Sequence, residues 1–375
     1  LKQRPYRVCH LSSLHVAKDT RIFYKCCRSL ARHYEVTLIA VHDKEERVDG
    51  VRIVPFRRLK KRYWEMLTAS LRMFPKALRV KADLYHLHDP ELIPCGLWLR
   101  LLGKKVIFDV HEHFAADIYD KPWIRQKKLL AGIYAFWEKR AAKRFELILA
   151  ERSYAPHYAA LGARYTVVLN YPDEPFFRQF RILNERPATN LFYIGILLES
   201  RGLLHIAEAL WILKQGGRIF HFHCVGALYS SLAHKLESMP FYPEVKDQMT
   251  FYGRCDLPEG YRLSMNMGIG LCIIKRMKNS EWSYPTKMFE YMSVGLPVIT
   301  SDFELYRSVV ERHACGRCVN PDNPKQLAEQ ILALADNPML RMDMARNGVQ
   351  AVISYYSWKS QEQKLLSLYE RLSKY

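Results

Sequence analysis

The sequence lacks any run approaching 18 apolar residues, so no transmembrane helix is expected. The opening LKQRPYRVCHLSS is basic and quickly turns strand-like, so it is not expected to be a secretory leader. It also has no Asp-x-Asp pair of the kind that holds a divalent ion against a diphosphate. Charge is lopsided, with the basic residues concentrated in the first half. Residues 1–170 carry 33 Lys/Arg against 17 Asp/Glu, a balance of +16, and the remainder supplies only +3 of the total +19. The nine cysteines are odd in number and scattered, and Cys9, Cys224 and Cys272 stand in apolar contexts. That usage predicts buried, reduced thiols in a cytoplasmic protein. The single CxxC at Cys315–Cys318 cannot complete a four-ligand zinc site and does not open a helix. His221 and His223 share one strand face without a third ligand, so no metal site is expected there.

What is present is a rhythm. At 375 residues the chain exceeds one typical core, and two domains are expected. YRVCHLS, EVTLIAV, VRIVPF, DLYHLHD, KVIFDVHE, ELILAE and YTVVLNYP read as strands with helical segments between them. The pattern restarts with NLFYIGIL, IFHFHCVG, MTFYG, MGIGLCII and LPVITS, and the C-terminal part is helical. The seam falls in the Pro-rich stretch NYPDEPFFRQFRILNERPATN. Two doubly wound α/β domains follow, and such sheets bind ligands at the C-terminal ends of their strands. Facing edges of two such sheets would make a two-substrate cleft.

The chemistry concentrates in YPTKMFEYMSVGLPVITSD. Pro285 suits a first helical turn, Lys287 and Glu290 lie on one face at i, i+3, and Gly295 ends the helix. A carboxylate near a helix N-terminus can accept hydrogen bonds from sugar hydroxyls; a plain Lys287–Glu290 surface pair is the alternative. HLHDPEL ends another strand, where His88, Asp89 and Glu91 could touch a substrate, although a capped helix start at Asp89–Pro90 explains them equally.

These stretches together resemble the retaining GT-B glycosyltransferases of family 4. Pro-x-Lys-x-x-Glu followed by Gly-x-Pro-Val is similar to their donor-nucleotide motif. FYIGILLESRGLLHIAEAL, FYGRCDLPEGYRLSMNMGIGLCII and FELYRSVVERHACGRCVNPDNPKQLAEQI resemble its surroundings in the second domain. The first loop, with His15, Asp19 and Arg21 as His-x3-Asp-x-Arg, resembles a subset of the family, as do FDVHEH and KPWI. The resemblance implies a GT-B architecture of two Rossmann-like domains, at 1–175 and 176–355. A C-terminal helix, 356–375, would cross back to the first domain. It implies that Glu290 binds the ribose and that Arg201, with Lys287, neutralises the donor diphosphate. Gly195 would let the backbone approach the phosphates, Arg254 would lie near base or phosphate, and Thr300 and Ser301 would close the wall beside the leaving group. His111 would sit near the anomeric centre, with His15, Asp19, Arg21 and His88 lining the acceptor side. No cofactor and no divalent metal are implied, only a nucleotide sugar, expected to be UDP-linked.

The chain departs from the family pattern in three places. Trp282 stands where many relatives have a Glu that contacts the donor sugar, and Ile196 stands where many have Arg. SSLHVAKD replaces the usual Gly-Gly phosphate turn. A nucleotide-sugar epimerase and a GT-B subunit without catalysis therefore stay open beside a transferase. The basic first half, and above all RRLKKRYWEMLTASLRMFPKALRVK, has the composition of an interfacial amphipathic helix or of an ordinary solvated one. The first case predicts an anionic membrane surface and a lipid-linked or polysaccharide acceptor. No nucleic-acid motif accompanies the charge, so nucleic acid is not an expected partner.

Overall fold

The computed structural model describes residues 4–111, 118, 126–277 and 280–374. Glu112 and His113 of FDVHEH, and KPWI at 121–124, lie outside them. The chain divides into two units, Leu1–Asn170 with Trp358–Tyr375, and Tyr171–Ser357. The division precedes residue 175 because Tyr171 stacks edge-on against Phe289 and Tyr356 of the second unit.

Unit 1 is built on eight strands: β1 (Arg7–Val16), β2 (Glu35–Val41), β3 (Glu46–Val48), β4 (Val51–Phe56), β5 (Leu84–Leu87), β6 (Lys105–Val110), β7 (Glu146–Leu149) and β8 (Arg164–Val167). Their order is β3-β4-β2-β1-β5-β6-β7-β8, parallel except for β3, which pairs antiparallel with β4 at the edge. β3 is three residues long, too short to leave a period in the sequence. The chain reverses its direction across the sheet between β1 and β5, where open α/β sheets place ligands.

Side chains alternate across this sheet. Cys9, Leu11, Tyr85, Leu87 and Phe108 face a core completed by the helices Arg62–Val80, Ile93–Leu101 and Lys127–Arg144. Val8, Leu84, Ile107 and Ile148 face the other core, completed by Ile22, Phe23, Cys26, Leu30 and the C-terminal helix Trp358–Lys374. That helix is fixed in unit 1 by bonds from Trp358 Nε1 to Ser29 Oγ and from Leu169 N to Gln361 Oε1. The first helical segment after β1 is a π-helical stretch, Thr20–Cys27, that continues as an α-helix over Arg28–Ala31.

Unit 2 carries β9 (Asn190–Ile194), β10 (His221–Val225), β11 (Met249–Gly253), β12 (Ile269–Cys272), β13 (Val298–Ser301) and β14 (Gly316–Val319). They form a parallel sheet in the order β11-β10-β9-β12-β13-β14, reversing between β9 and β12. Its core gathers Leu191, Tyr193, Leu210, Phe222, Leu271, Ile299 and Ile331. Among the described residues, no helix is long and apolar enough to cross a membrane.

Candidate functional site

In unit 2 the helix Thr286–Ser293 begins after Pro285, which is extended at φ −72° and ψ 118°. The far end of this helix is tied to the Pro-rich linker. The Arg181 side chain donates to Ser293 O at 2.9 Å, and Arg186 donates to Val294 O and Gly295 O. Two cations thus satisfy the carbonyls left open at a helix C-terminus. The linker that marks the domain seam in sequence fixes the helix that carries Lys287 and Glu290.

Glu290 is buried and accepts the Tyr261 hydroxyl at 2.5 Å. Burial and the neighbouring Glu290 carboxylate push the Tyr261 phenol well above its ordinary range, so it stays protonated as a donor. Lys287 does not pair with Glu290. Its Nζ lies over the Tyr193 ring, 3.7 Å from the centroid. Burial, with a further push from Arg201, lowers the Lys287 pKa to about 8. Arg201 ends the short turn Glu199–Arg201 that leads into the helix Leu203–Gln215. Neither Arg201 nor Lys287 forms an ion pair among the described residues. Two cations therefore converge, with helix N-termini, at the sheet's switch point, an arrangement that favours an anion.

Gly195 follows β9 with φ 131°, and a side chain there would come within 2.9 Å of Lys287 Nζ. Gly226 packs so tightly that a Cβ would fall 1.9 Å from Gly195 O. Arg254 follows β11 and is exposed. Thr300 and Ser301 are both fully buried: Thr300 Oγ1 donates to Ser301 O, and Ser301 Oγ accepts from Ile274 N and donates to Ile274 O. They knit β13 to the segment after β12 and present no free hydroxyl to a ligand.

In unit 1, strand ends β1, β5 and β6 bring the other expected residues together. Asp19 accepts from the Arg21 and Ile22 N–H groups and so caps the π-helix. Arg21 is buried and forks onto Asp109, Nε to Oδ2 at 2.9 Å and Nη2 to Oδ1 at 2.8 Å, and donates to Val168 O. Asp19 and Arg21 thus build the loop and the core: the Asp19 carboxylate and the Nε and Nη2 of Arg21 are engaged inside the unit. Asp89 does not cap the following helix either. It accepts from Ser12 Oγ, Ser13 N and Leu14 N and pairs with His15 Nδ1 at 2.9 Å. The His15 contact and these hydrogen bonds hold its carboxyl well below the usual range against the opposing effect of burial. Glu91, beside it, is pushed up to about 7 by burial and by Asp89.

His111 is partly exposed, with Nε2 3.1 Å from Asp109 Oδ2. His88 is buried, with Nε2 2.9 Å from His10 Nδ1. Residues not singled out in the sequence also take part: Tyr193 and Tyr261 in unit 2, and, separately, His10, His86 and Tyr369 in unit 1. The alternation of HLH at 86–88 is a usable signal for His86. Tyr369 lies 283 positions from the His86 it touches, and nothing local announces it.

Comparison with known proteins agrees with this architecture. Residues 20–154 match the family described as Glycosyltransferase Family 4, and residues 188–337 the family described as Glycosyl transferases group 1. The spore coat protein SA of Bacillus subtilis is 27% identical over 154 residues, 40% of this chain and 35% of that protein. Phosphatidyl-myo-inositol mannosyltransferase of Mycobacterium leprae is 29% identical over 91 residues, 24% of each chain. The chain thus matches about a third or less of the length of these curated relatives. Sucrose-phosphate synthase from Thermosynechococcus elongatus superposes with a TM-score of 0.78 at 13% identity, over 98% of this chain and 99% of that one. Anabaena HepE in complex with UDP-glucose gives 0.72 at 13% identity, over 97% and 99%. WaaG, a glycosyltransferase involved in lipopolysaccharide biosynthesis, gives 0.70 at 15% identity, over 96% and 98%. The fold is GT-B, and each unit carries a match to a glycosyltransferase domain family.

Proposed function

We propose that this chain is a retaining, metal-independent glycosyltransferase. It moves a sugar from a UDP-linked donor to a glycan or lipid-linked acceptor in cell-surface polysaccharide biosynthesis. The observation that carries the reading is the pair Lys287 and Arg201, two cations without ion pairs beside the ring of Tyr193 and within reach of Glu290's field. Cleaving a sugar from a nucleoside diphosphate leaves negative charge on the departing group. Preorganised cations and helix N-termini stabilise that charge in the transition state. Glu290, already oriented by Tyr261, accepts from the ribose hydroxyls. Reaction on one face of the sugar lets the diphosphate take the acceptor's proton, so no second carboxylate at glycosidase spacing is required, and His111 orients the sugar. HepE's complexes with UDP and UDP-glucose, and the names of WaaG and the mycobacterial mannosyltransferase, support the donor class and the biosynthetic setting.

Exposed Ile196 and Trp282 favour a second reading, a nucleotide-binding subunit without transfer. The two separate on one experiment. Thermal shift with a panel of nucleotides and nucleotide sugars, with and without EDTA, is expected to show stabilisation by UDP compounds alone, unchanged by the chelator. Release of UDP on adding acceptor extract identifies a transferase. UDP binding without release identifies the subunit, and no UDP stabilisation sinks both. In this reading the protein works in the cytoplasm, peripheral on the inner face of the membrane.

A further inference from the structure

We propose that Asp109 is a positioning residue for His111: its carboxylate fixes the His111 proton on Nε2, so that Nδ1 meets the donor sugar as a hydrogen-bond acceptor. The sugar contact rests on the glycosyl-transfer reading; the choice of tautomer rests on unit 1 alone.

Strand register builds the arrangement. Leu87 pairs with Phe108 across β5 and β6, and continuing that register sets His88 beside Asp109. Asp109 lies on β6 and His111 just follows it, so period-two alternation turns both to one face. Asp109 is buried, whereas the His111 side chain is 20% exposed at the strand end. Two contacts hold His111. The Tyr154 hydroxyl donates to its carbonyl oxygen at 3.2 Å, and its Nε2 lies 3.1 Å from Asp109 Oδ2. Arg21 forks onto the same carboxylate and fixes its plane. Arg21 would neutralise Asp109 unaided, so an ion pair in the core accounts for those two residues. It does not account for the partly exposed imidazole held against Oδ2.

The position of the proton follows from charge. Although burial opposes it, Arg21 and His111 keep the Asp109 carboxyl well below its ordinary range, so it is ionised and offers only lone pairs. A bare imidazole nitrogen 3.1 Å away would set lone pair against lone pair, at a cost that a low local dielectric magnifies. The Nε2–H tautomer turns that repulsion into attraction. A neutral imidazole carries one proton, so Nδ1 is then the acceptor. The rest of the cluster agrees. Burial keeps His10, His86 and His88 below their ordinary pKa and neutral, and keeps Tyr369 protonated. His88 Nδ1 lies 3.5 Å from Asp109 Oδ2 and His86 Nε2 3.9 Å from it, so the nearer nitrogen, on His88, takes the proton. His88 Nε2 then accepts from His10 Nδ1 at 2.9 Å, His10 Nε2 from the Tyr369 hydroxyl at 3.4 Å, and that hydroxyl from His86 Nδ1 at 2.6 Å. The protons run in one direction, toward Asp109, and each faces an acceptor. Asp109 thus orients two imidazoles, and of these only His111 is exposed to solvent.

The test is nitrogen NMR of the full chain carrying isotope-labelled histidine, at about pH 8.5, above the ordinary imidazole pKa. The His111 signals are assigned by their loss in His111→Ala. A single Nε2–H tautomer is expected for His111. An Nδ1–H tautomer, an even mixture or a doubly protonated ring overturns the proposal. Asp109→Asn removes the charge that selects the proton and should give a mixture of tautomers. With acceptor extract, its kcat for UDP release should fall about 10–100-fold, with little change in donor KM. Asp109→Asn combined with His111→Ala should be no slower than His111→Ala alone, since Asp109 acts through the ring it holds. A further loss in the double variant shows that Asp109 serves the fold only and overturns the proposal. Should Asp109→Asn not fold, the tautomer of the unmodified chain still decides. Absence of UDP release from the unmodified chain sinks the glycosyl-transfer reading instead, and the tautomer is read without it.

Discussion

Tyr261 and Glu290, 29 positions apart, meet inside unit 2 through a hydroxyl-to-carboxylate hydrogen bond of 2.5 Å. One Glu290 oxygen is held, and the carboxylate can still accept further hydrogen bonds. The apolar neighbours Phe289 and Met292 are buried at 1% and 0% exposure, so the helix is anchored by them and not by Glu290. Glu290→Ala should therefore leave the fold intact and lower UDP affinity by about 10–100-fold. That loss corresponds to one charge-assisted hydrogen bond of about 1.5–3 kcal/mol. Calorimetric titration of UDP decides it, and unchanged affinity would remove Glu290 from the site.

Lys287 gives a pH dependence. Its pKa is lowered to about 8, so the free protein loses this charge as pH rises through that value. A bound diphosphate favours the ammonium form and raises the pKa. UDP affinity should therefore be highest below about pH 8 and fall above it, with proton uptake on binding between pH 8 and 9. Repeating the titration in buffers of different ionisation enthalpy measures that uptake. Lys287→Met should abolish the pH dependence along with most of the affinity.

How much of this was legible beforehand depends on distance along the chain. The alternation of strands and helices, the Lys287–Glu290 helix and the Gly195 turn are local patterns, and a period or a φ requirement exposes them. Arg21 and Asp19 stand out in the sequence by type, but their roles are not readable from it. Whether an arginine meets a ligand or a buried aspartate depends on Asp109, 88 positions away. The partner of Ser301 is likewise unreadable locally, since its hydroxyl is engaged by Ile274, 27 positions away. Tyr369 joins the histidines only because the C-terminal helix covers the sheet of unit 1, a consequence of tertiary packing alone.

Asp89 should matter for stability more than its position in a surface-facing loop suggests. It anchors Ser12, Ser13 and Leu14 and pairs with His15 while itself buried. Asp89→Ala would strand these donors, and a loss of about 3–5 kcal/mol is expected. Because its folded pKa is depressed, the stabilisation is fully present above the ordinary carboxylate range and is lost progressively as pH falls below about 4 toward the depressed folded value. Urea denaturation of both proteins at pH 7 and pH 3.5 checks this: the gap between them should narrow at the lower pH.

The basic half of the chain leads to a prediction about surfaces. On the helix Arg62–Val80, Tyr63, Trp64, Leu67 and Leu71 are exposed, and on Lys127–Arg144 so are Leu129, Ile133 and Phe136. Both helices cover the same face of the unit 1 sheet, through one shared core. Apolar side chains at this density, interleaved with Lys60, Lys61, Lys128 and Lys139, match an interfacial surface better than a solvated one. Flotation with vesicles should recover the protein with anionic lipid and not with neutral lipid, and recovery should fall as salt rises. Trp64→Ser with Leu71→Ser removes apolar area without touching charge, so it should weaken binding at low and high salt alike. Replacing Lys60 and Lys61 with Gln should instead act mainly at low salt. Equal recovery from neutral and anionic vesicles would show that the charge has another use. No recovery from either would return both helices to the role of an ordinary solvated face.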